Sequence, residues 1–265
     1  YRDGLEYFHH EFAPQLKTQL ERLSGGHWNL NDFVAYAAGS DVDLMTHVIE
    51  AVTRDETAAA FPGDWFGFLV GGTQDERIHW THDAAGALAC LCVPSVRNGQ
   101  FTEEMLAFLK TGSSCLLNIN LYPTMPPNER ALVAQQLNPV LGRSLLSVSF
   151  SRGFGMTASQ LGVMLVHKDH PYRERFERQW NWFTYFYNGI AARAFMLVDH
   201  EVLAQVDQQR RDSVFRYREQ FALPVVRSGS YYVKTFRIRE EPPVSLAPLV
   251  RDNAIRLCFK PEEVQ

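Results

Sequence analysis

Apolar residues follow two different periods along this chain. Runs of strand length that are rich in apolar residues occupy residues 88–93, 114–121, 144–150 and 161–166. The segments between them carry apolar residues three and four positions apart, which is helical spacing. Short, mainly apolar strands that alternate with helices are typical of a buried parallel sheet covered by helices. The pattern therefore predicts an α/β domain with a mostly parallel, doubly wound sheet.

Further elements are predicted around these runs. Residues 7–23 should form a helix that ends at Gly25-Gly26, and Thr102 should cap another, with two glutamates in its first turn. A buried strand is expected at residues 65–70, and a helix at residues 73–84. Gly39-Ser40 should open a further helix.

The pattern changes after Val166. Residues 171–198 form one long helical stretch rich in aromatic side chains, and residues 201–221 form a second. Strand, strand, helix and strand signals then follow, which indicate a small α+β unit with hairpin-like pairing. We therefore predict a large sheet domain at residues 1–170, a bridging helix at 171–200 and a C-terminal small domain at 201–265.

Composition and charge narrow the class of protein. With 265 residues, 46% of them hydrophobic, the chain can bury a large core. A net charge of -4 and basic residues interleaved with acids give no reason to expect a nucleic-acid partner. No apolar run approaches the roughly 20 residues that cross a bilayer. The four cysteines lie in strand-like contexts, which favours free thiols and a cytoplasmic location.

The first residues do not resemble a signal peptide, and the absence of an initial Met suggests trimming.

A strand, a loop of small residues and a second strand lie around Ser149–Gly162, which reads SFSRGFGMTASQLG. Such a loop places polar side chains at a sheet edge, where α/β proteins commonly bind ligands. This segment resembles the lysine segment of class I/II aminotransferases, the fold-type-I pyridoxal-phosphate (PLP) family. The family form is S-x-S-K, a short loop and G-x-R-x-G. Three further places carry the resemblance, namely Gly39-Ser40, PSVRNGQFTEEM from Pro94, and GSYYVKTF followed by IRLCF.

The resemblance covers nearly the whole chain, with a short or missing N-terminal arm, and it implies the aminotransferase fold. It also puts Arg152 at the position of the reactive lysine. Lysine can lose its proton and add to an aldehyde, whereas the guanidinium stays protonated and delocalised. Arg152 therefore cannot form the internal aldimine, although it can grip a carboxylate or phosphate. Its simpler role would be to pair with a neighbouring carboxylate.

Other cofactor anchors of the family are altered in this sequence. Val96 stands where an Asn holds the cofactor phenolate, and Gln160 replaces the phosphate-binding Arg. The acid under the pyridine nitrogen falls at Ile119, unless a shift brings Asn118 or Asn120 into place. No aromatic residue falls near Thr73, where the ring-stacking residue is expected. These changes predict that no cofactor is held, and PLP is expected only if the protein is a working enzyme of the family.

Some anchors persist by the same resemblance. Ser40 and Asp41 begin a helix that could cradle an anion, and Ser149 and Ser151 keep their positions in the motif. Arg256 in IRLCF matches the arginine that binds the substrate carboxylate. Tyr122 is kept as well, and it or Asp41 could serve as an acid or base. A further motif, His79-x-x-His82, offers metal ligands without a companion motif, so we predict no metal site.

Three functions remain open from the sequence. The chain is a pseudo-aminotransferase that serves as a binding or partner subunit, a repurposed enzyme acting on an amino-acid-like or carboxylate substrate, or a true PLP-dependent transaminase. The last would need another lysine, and the candidates are Lys110, Lys168 and Lys234. We expect a small carboxylate ligand, a homodimer or a heteromer with a homologue, and a place in specialised biosynthesis. No membrane partner is expected.

Overall fold

The computed structural model describes residues 2–38, 56–64, 78–95, 99–150 and 162–179, with shorter stretches and single residues between 189 and 257. Its first 22 described residues are helical throughout. They comprise α1 (Arg2–Tyr7), a π-helical turn (Phe8–Phe12) and α2 (Ala13–Leu23). The helix ends where Gly25 and Gly26 take φ values of 68° and 80°, which favour glycine. The predicted helix and its glycine end are confirmed.

Seven strands form the first sheet, in the order β1-β7-β6-β5-β4-β2-β3. Six of the strands run in one direction, and β7 is antiparallel to both of its neighbours. This mixed, mostly parallel sheet confirms the predicted fold class. The strands are β1 (Phe33–Ala38), β2 (Ala58–Ala60), β3 (Ile78–Trp80), β4 (Leu88–Cys92), β5 (Ser114–Asn118), β6 (Ser144–Ser149) and β7 (Gly162–His167).

Two helices connect the central strands. Helix α3 (Glu103–Thr111) joins β4 to β5, and the hydroxyl of Thr102 caps it by accepting a hydrogen bond from the N–H of Met105 at 3.2 Å. Helix α4 (Pro127–Leu141) joins β5 to β6. Both bury apolar side chains in the same core cluster as α2 and alternate residues of the strands. These helices therefore cover one face of the sheet.

The opposite face of the sheet carries the other alternate residues, among them Leu116, Leu145 and Met164. Helix α5 (Arg173–Gln179) packs here through Phe176. A bond from the Tyr36 hydroxyl to Glu177 Oε1 at 2.9 Å ties β1 to α5. Each face of the sheet thus has its own apolar cluster.

A second sheet of four antiparallel strands follows, in the order β10-β11-β9-β8. Its strands are β8 (Arg227–Ser228), β9 (Tyr232–Thr235), β10 (Val250–Arg251) and β11 (Ala254–Leu257). The described residues of the stretch 201–220 are all helical, as predicted. The predicted boundaries at residues 170 and 200 remain predictions.

One predicted element is wrong, and one strand was not predicted. Residues 78–80 form the parallel edge strand β3, although a helix was expected over 73–84. Strand β2 was not predicted at all. The strand expected at residues 65–70 lies outside the described residues. Within the part of the chain that the structure describes, no helix is long and apolar enough to cross a membrane.

Candidate functional site

The carboxyl ends of β2, β4, β5 and β6 lie along one edge of the first sheet, because these four strands are parallel. Buried polar side chains lie at the end of each of these strands or shortly after it. They are Asp64, Ser95, Asn118, Asn120 and Ser149, and none is more than 4% exposed. Polar groups gathered at this edge of an open α/β sheet are typical of a ligand site. We call these five residues the carboxyl-edge cluster.

Hydrogen bonds join the ends of β5 and β6 within this cluster. The Oδ1 atom of Asn118 accepts a hydrogen bond from the backbone N–H of Asn120 at 3.1 Å. Asn120 Oδ1 in turn accepts one from the backbone N–H of Ser149. Both amide oxygens are therefore occupied by the backbone, which fixes how the two side chains are oriented. The predicted site residue Ser149 thus lies at the carboxyl edge, where its backbone is bound to a residue just beyond the end of the neighbouring strand.

Asp64 is a member of the cluster that sequence reasoning missed. Its Oδ2 atom accepts a hydrogen bond from the backbone N–H of Cys92 at 2.7 Å, and its Oδ1 atom accepts one from Ser95 Oγ at 3.5 Å. The carboxylate therefore ties the end of β2 to the turn after β4. A lone acid in the apolar segment FPGDWFGF was the sequence signal that could have revealed it.

Replacing Asp64 with alanine should lower the free energy of unfolding by about 1–3 kcal/mol, because the buried N–H of Cys92 would lose its acceptor. Asp64→Asn keeps an oxygen in that place, so its loss should be smaller. Urea denaturation of both variants beside the wild type measures the difference. Equal stability of all three proteins would contradict this role.

Tyr122 was predicted as an acid or base, and its contacts are those of a core residue. Its ring is fully buried and stacks on Trp28, with centroids 4.7 Å apart and planes at 20°. The hydroxyl donates to the carbonyl of Arg130 at 2.9 Å. Burial raises the pKa of this phenol above its usual value, despite the nearby Arg130. The acid or base role remains a prediction.

Ile119, which the resemblance aligns with the acid under the cofactor's pyridine nitrogen, is fully buried in the apolar cluster on the α3 and α4 face. Asn118 and Asn120 are amides, and the oxygen of each already binds the backbone. None of these three side chains offers a carboxylate to a protonated ring nitrogen. The acid that the resemblance expects under the ring nitrogen is therefore missing from these three positions.

Two of the alternative lysines lie at the opposite edge of the sheet. Lys110 is in the last turn of α3, just before β5 begins. Lys168 follows the end of β7, and its Nζ atom forms an exposed ion pair with Asp32 Oδ1 at 2.7 Å. The end of β7 pairs with the start of β1, which is also the amino edge of the parallel strands. Neither amine is therefore at the edge that holds the polar cluster.

The remaining predicted residues are placed only in part. Arg256 lies in β11, where its backbone pairs with Val233, and Lys234 lies in β9. His82 is exposed and its Nδ1 atom lies 3.3 Å from Glu104 Oε1. No group of three metal-ligating side chains occurs among the described residues. The predicted residues outside the described part are Ser40, Asp41, Thr73, Val96, Ser151, Arg152 and Gln160.

Comparison with solved structures shows the fold. A candidate histidinol-phosphate aminotransferase from Erwinia carotovora atroseptica matches with a TM-score of 0.62 and 14% identity, covering 100% of this chain and 87% of that one. Cystalysin from Treponema denticola, which contains PLP, matches with a TM-score of 0.61 and 12% identity over 86% of this chain. Histidinol-phosphate aminotransferase from Sinorhizobium meliloti, in complex with PLP, has a TM-score of 0.59 and 16% identity over 84%.

This chain covers 67% of cystalysin and 66% of the Sinorhizobium enzyme, or about two thirds of each. No protein-family model and no curated protein matches the sequence. The protein therefore has the fold of the class I/II PLP-dependent aminotransferases, fold type I. At these identities the likeness extends to the fold, and the activity must be argued from the residues.

Proposed function

We propose that this protein is an aminotransferase-like protein without Schiff-base chemistry, which binds an amino-acid-like or other carboxylate ligand. The observation that carries the proposal is the arginine at position 152, between β6 and β7 of a fold whose PLP-dependent members need a lysine amine there. An arginine cannot become the neutral nucleophile that attacks an aldehyde.

The described residues support the same proposal. Ile119 supplies no charge where the pyridine nitrogen would need one, and the alternative amines of Lys110 and Lys168 are at the wrong edge of the sheet. In contrast, the carboxyl edge holds a buried polar cluster, and polar groups at this edge of an open α/β sheet are typical of a ligand site. The site therefore suits ligand binding better than PLP catalysis.

The ligand class follows from the residues assigned by resemblance. Arg152 and Arg256 would offer planar guanidinium groups, which suit bidentate binding of a carboxylate. Ser40, Asp41, Ser149, Ser151 and Gln160 would line the remainder of the old cofactor space. Whether the ligand is only bound or also converted separates a partner subunit from a repurposed enzyme. A dimer or a complex with a homologue is part of the proposal and is measured by light scattering.

Incubation with PLP, reduction with borohydride and mass spectrometry of the intact protein test the loss of Schiff-base chemistry. We expect no stoichiometric pyridoxyl adduct, because the position of the reactive lysine holds an arginine, which cannot form a Schiff base. Arg152→Lys is the matched control, since it returns an amine to the loop without changing the charge. A stoichiometric adduct on one lysine of the wild type would instead establish the alternative, a PLP-dependent enzyme with unusual anchoring.

Thermal-shift measurements with amino acids and other carboxylates test the binding half of the proposal. A ligand that raises the wild-type melting temperature should lose its effect in Arg152→Ala and Arg256→Ala. A wild type that no carboxylate stabilises would contradict ligand binding and favour a scaffold.

A further inference from the structure

Two neighbouring polar side chains lie inside the sheet, near the carboxyl ends of β5 and β6. Asn118 and Ser147 are directly paired in the register of these strands, and they are 3% and 0% exposed. Alternation along each strand puts both on the face that carries Leu116 and Leu145. Adjacent strands are roughly 4.8 Å apart, so the two side chains are side by side.

Neither side chain has its hydrogen-bonding capacity satisfied by the described residues. Ser147 Oγ is buried and makes no hydrogen bond. The oxygen of Asn118 is taken by the N–H of Asn120, so its Nδ2 group is the free end, and it bonds to no described residue. The flanking residues in the register are Cys92 and Met164, whose sulfur atoms are weak acceptors.

Buried polar atoms almost always have a partner, and an unmet one destabilises the fold. Here the buried Ser147 Oγ is such an atom, and Asn118 Nδ2, which bonds to no described residue, lies one strand away on the same otherwise apolar face. Their position adjoins Ser149 and Asn120 of the carboxyl-edge cluster, where an open α/β sheet binds its ligands. We therefore expect a polar group of a bound ligand to form hydrogen bonds with this pair.

We propose that Asn118 Nδ2 and Ser147 Oγ form a subsite for an oxygen of the ligand's carboxylate. The amide nitrogen can only donate, and the serine hydroxyl can donate as well, so the two suit a single anionic acceptor. This inference rests on the proposed function, because it names two further residues for the same ligand. Under this proposal, side chains of β5 and β6 bind the carboxylate together with the two arginines.

The experiment compares amino acids with the amines that lack only the carboxylate. The probe pairs are L-phenylalanine and phenethylamine, L-leucine and isoamylamine, and L-histidine and histamine. Thermal shift and calorimetry are recorded for the wild type, Ser147→Ala and Asn118→Asp. The aspartate keeps the oxygen that receives the Asn120 N–H, and it replaces the donor by a charge that repels carboxylates.

We expect at least one amino acid, but not its amine, to raise the wild-type melting temperature. Ser147→Ala should weaken that binding by about tenfold, and Asn118→Asp by more than about tenfold. Ser114→Ala is the matched control, because Ser114 Oγ is also buried without a partner but lies at the amino end of β5. Both alanine variants should be as stable without ligand as the wild type, and only Ser147→Ala should lose affinity.

An unchanged affinity of Ser147→Ala and Asn118→Asp, with binding still lost in Arg152→Ala and Arg256→Ala, would overturn the subsite and leave the proposed function standing. The reverse pattern would support the subsite and contradict the arginine assignment. A wild type that responds to none of the amino acids would overturn both. Equal losses in Ser147→Ala and Ser114→Ala would show a general effect on the sheet and would also overturn the subsite.

Discussion

Replacing Phe12 with alanine should lower the free energy of unfolding by about 3–5 kcal/mol, the range for truncating a buried phenylalanine. Phe12 is fully buried. Its ring centroid lies 5.3 Å from that of Phe8, 5.7 Å from that of Phe150 and 5.8 Å from that of Phe195. These four rings join the first helical segment to the residue after β6 and to a distant part of the chain. The cavity would therefore loosen several elements at once.

Urea denaturation followed by circular dichroism measures the loss. Phe12→Leu keeps most of the buried volume and should cost less than about half as much. Leu132→Ala is an exposed control, because Leu132 is 54% accessible, and it should change stability by no more than about 0.5 kcal/mol. A loss below about 1 kcal/mol for Phe12→Ala would show that the aromatic cluster is not part of a cooperative core.

Acidification from pH 6.5 towards pH 4 should destabilise the protein by about 3 kcal/mol through His170. This side chain is 5% exposed, its Nδ1 atom accepts a hydrogen bond from the Tyr172 N–H at 3.2 Å, and Nε2 has no partner. Burial, together with the nearby His167, lowers the pKa of His170 from 6.5 to about 4, while the backbone carbonyl of Arg143 acts in the opposite direction.

Stability falls on acidification because the unfolded state binds the proton more readily than the folded state. Above pH 6.5 the imidazole is neutral in both states, and the stability is fully present. Below that pH the unfolded chain takes up a proton that the folded chain refuses until about pH 4, so stability falls across this window.

Urea midpoints at pH 7, 6, 5 and 4.5 measure the effect of His170. In His170→Asn the amide oxygen can replace Nδ1 as the acceptor, and the amide cannot titrate. The free energy of unfolding of this variant should therefore depend on pH less steeply than that of the wild type, by the equivalent of about one proton. Identical slopes for His170→Asn and the wild type would contradict the assignment.

The strands that could be predicted from sequence are those with long apolar runs. β4, β5, β6 and β7 are buried on both faces, so they are rich in apolar residues and show no regular alternation with polar ones, which makes them recognisable without a partner. The helix cap at Thr102 was also predictable, because it needs only one hydroxyl and one N–H that are three residues apart in the sequence. In each case the signal lay within a single element.

The two short strands could not be predicted in the same way. β2 consists of Ala58–Ala60, and alanine favours helices when no packing opposes it. β3, Ile78–Trp80, is three residues long at the edge of the sheet, with polar neighbours on both sides in sequence. Pairing with β4 and β2, which are distant in sequence, determines both strands. A local sequence pattern cannot predict such long-range contacts.

The candidate site was predictable to a similar extent. The parallel strands indicated the carboxyl edge, and Ser149 and Asn120 do meet there. The pairing of Asn118 with Ser147 depends on register, which a sequence does not reveal. Asp64 was hidden because its partner, the backbone N–H of Cys92, belongs to another strand.

The antiparallel strand β7 has an evolutionary consequence. Because β6 and β7 are neighbours in the sheet, the Ser149–Gly162 pair holds the two ends of the intervening segment one strand spacing apart. Residues in a segment closed in this way can be exchanged, and a flexible connection can lengthen at about 0.6 kcal/mol for each doubling, without moving either strand. The sequence between β6 and β7 can therefore change while the architecture of the sheet is inherited intact.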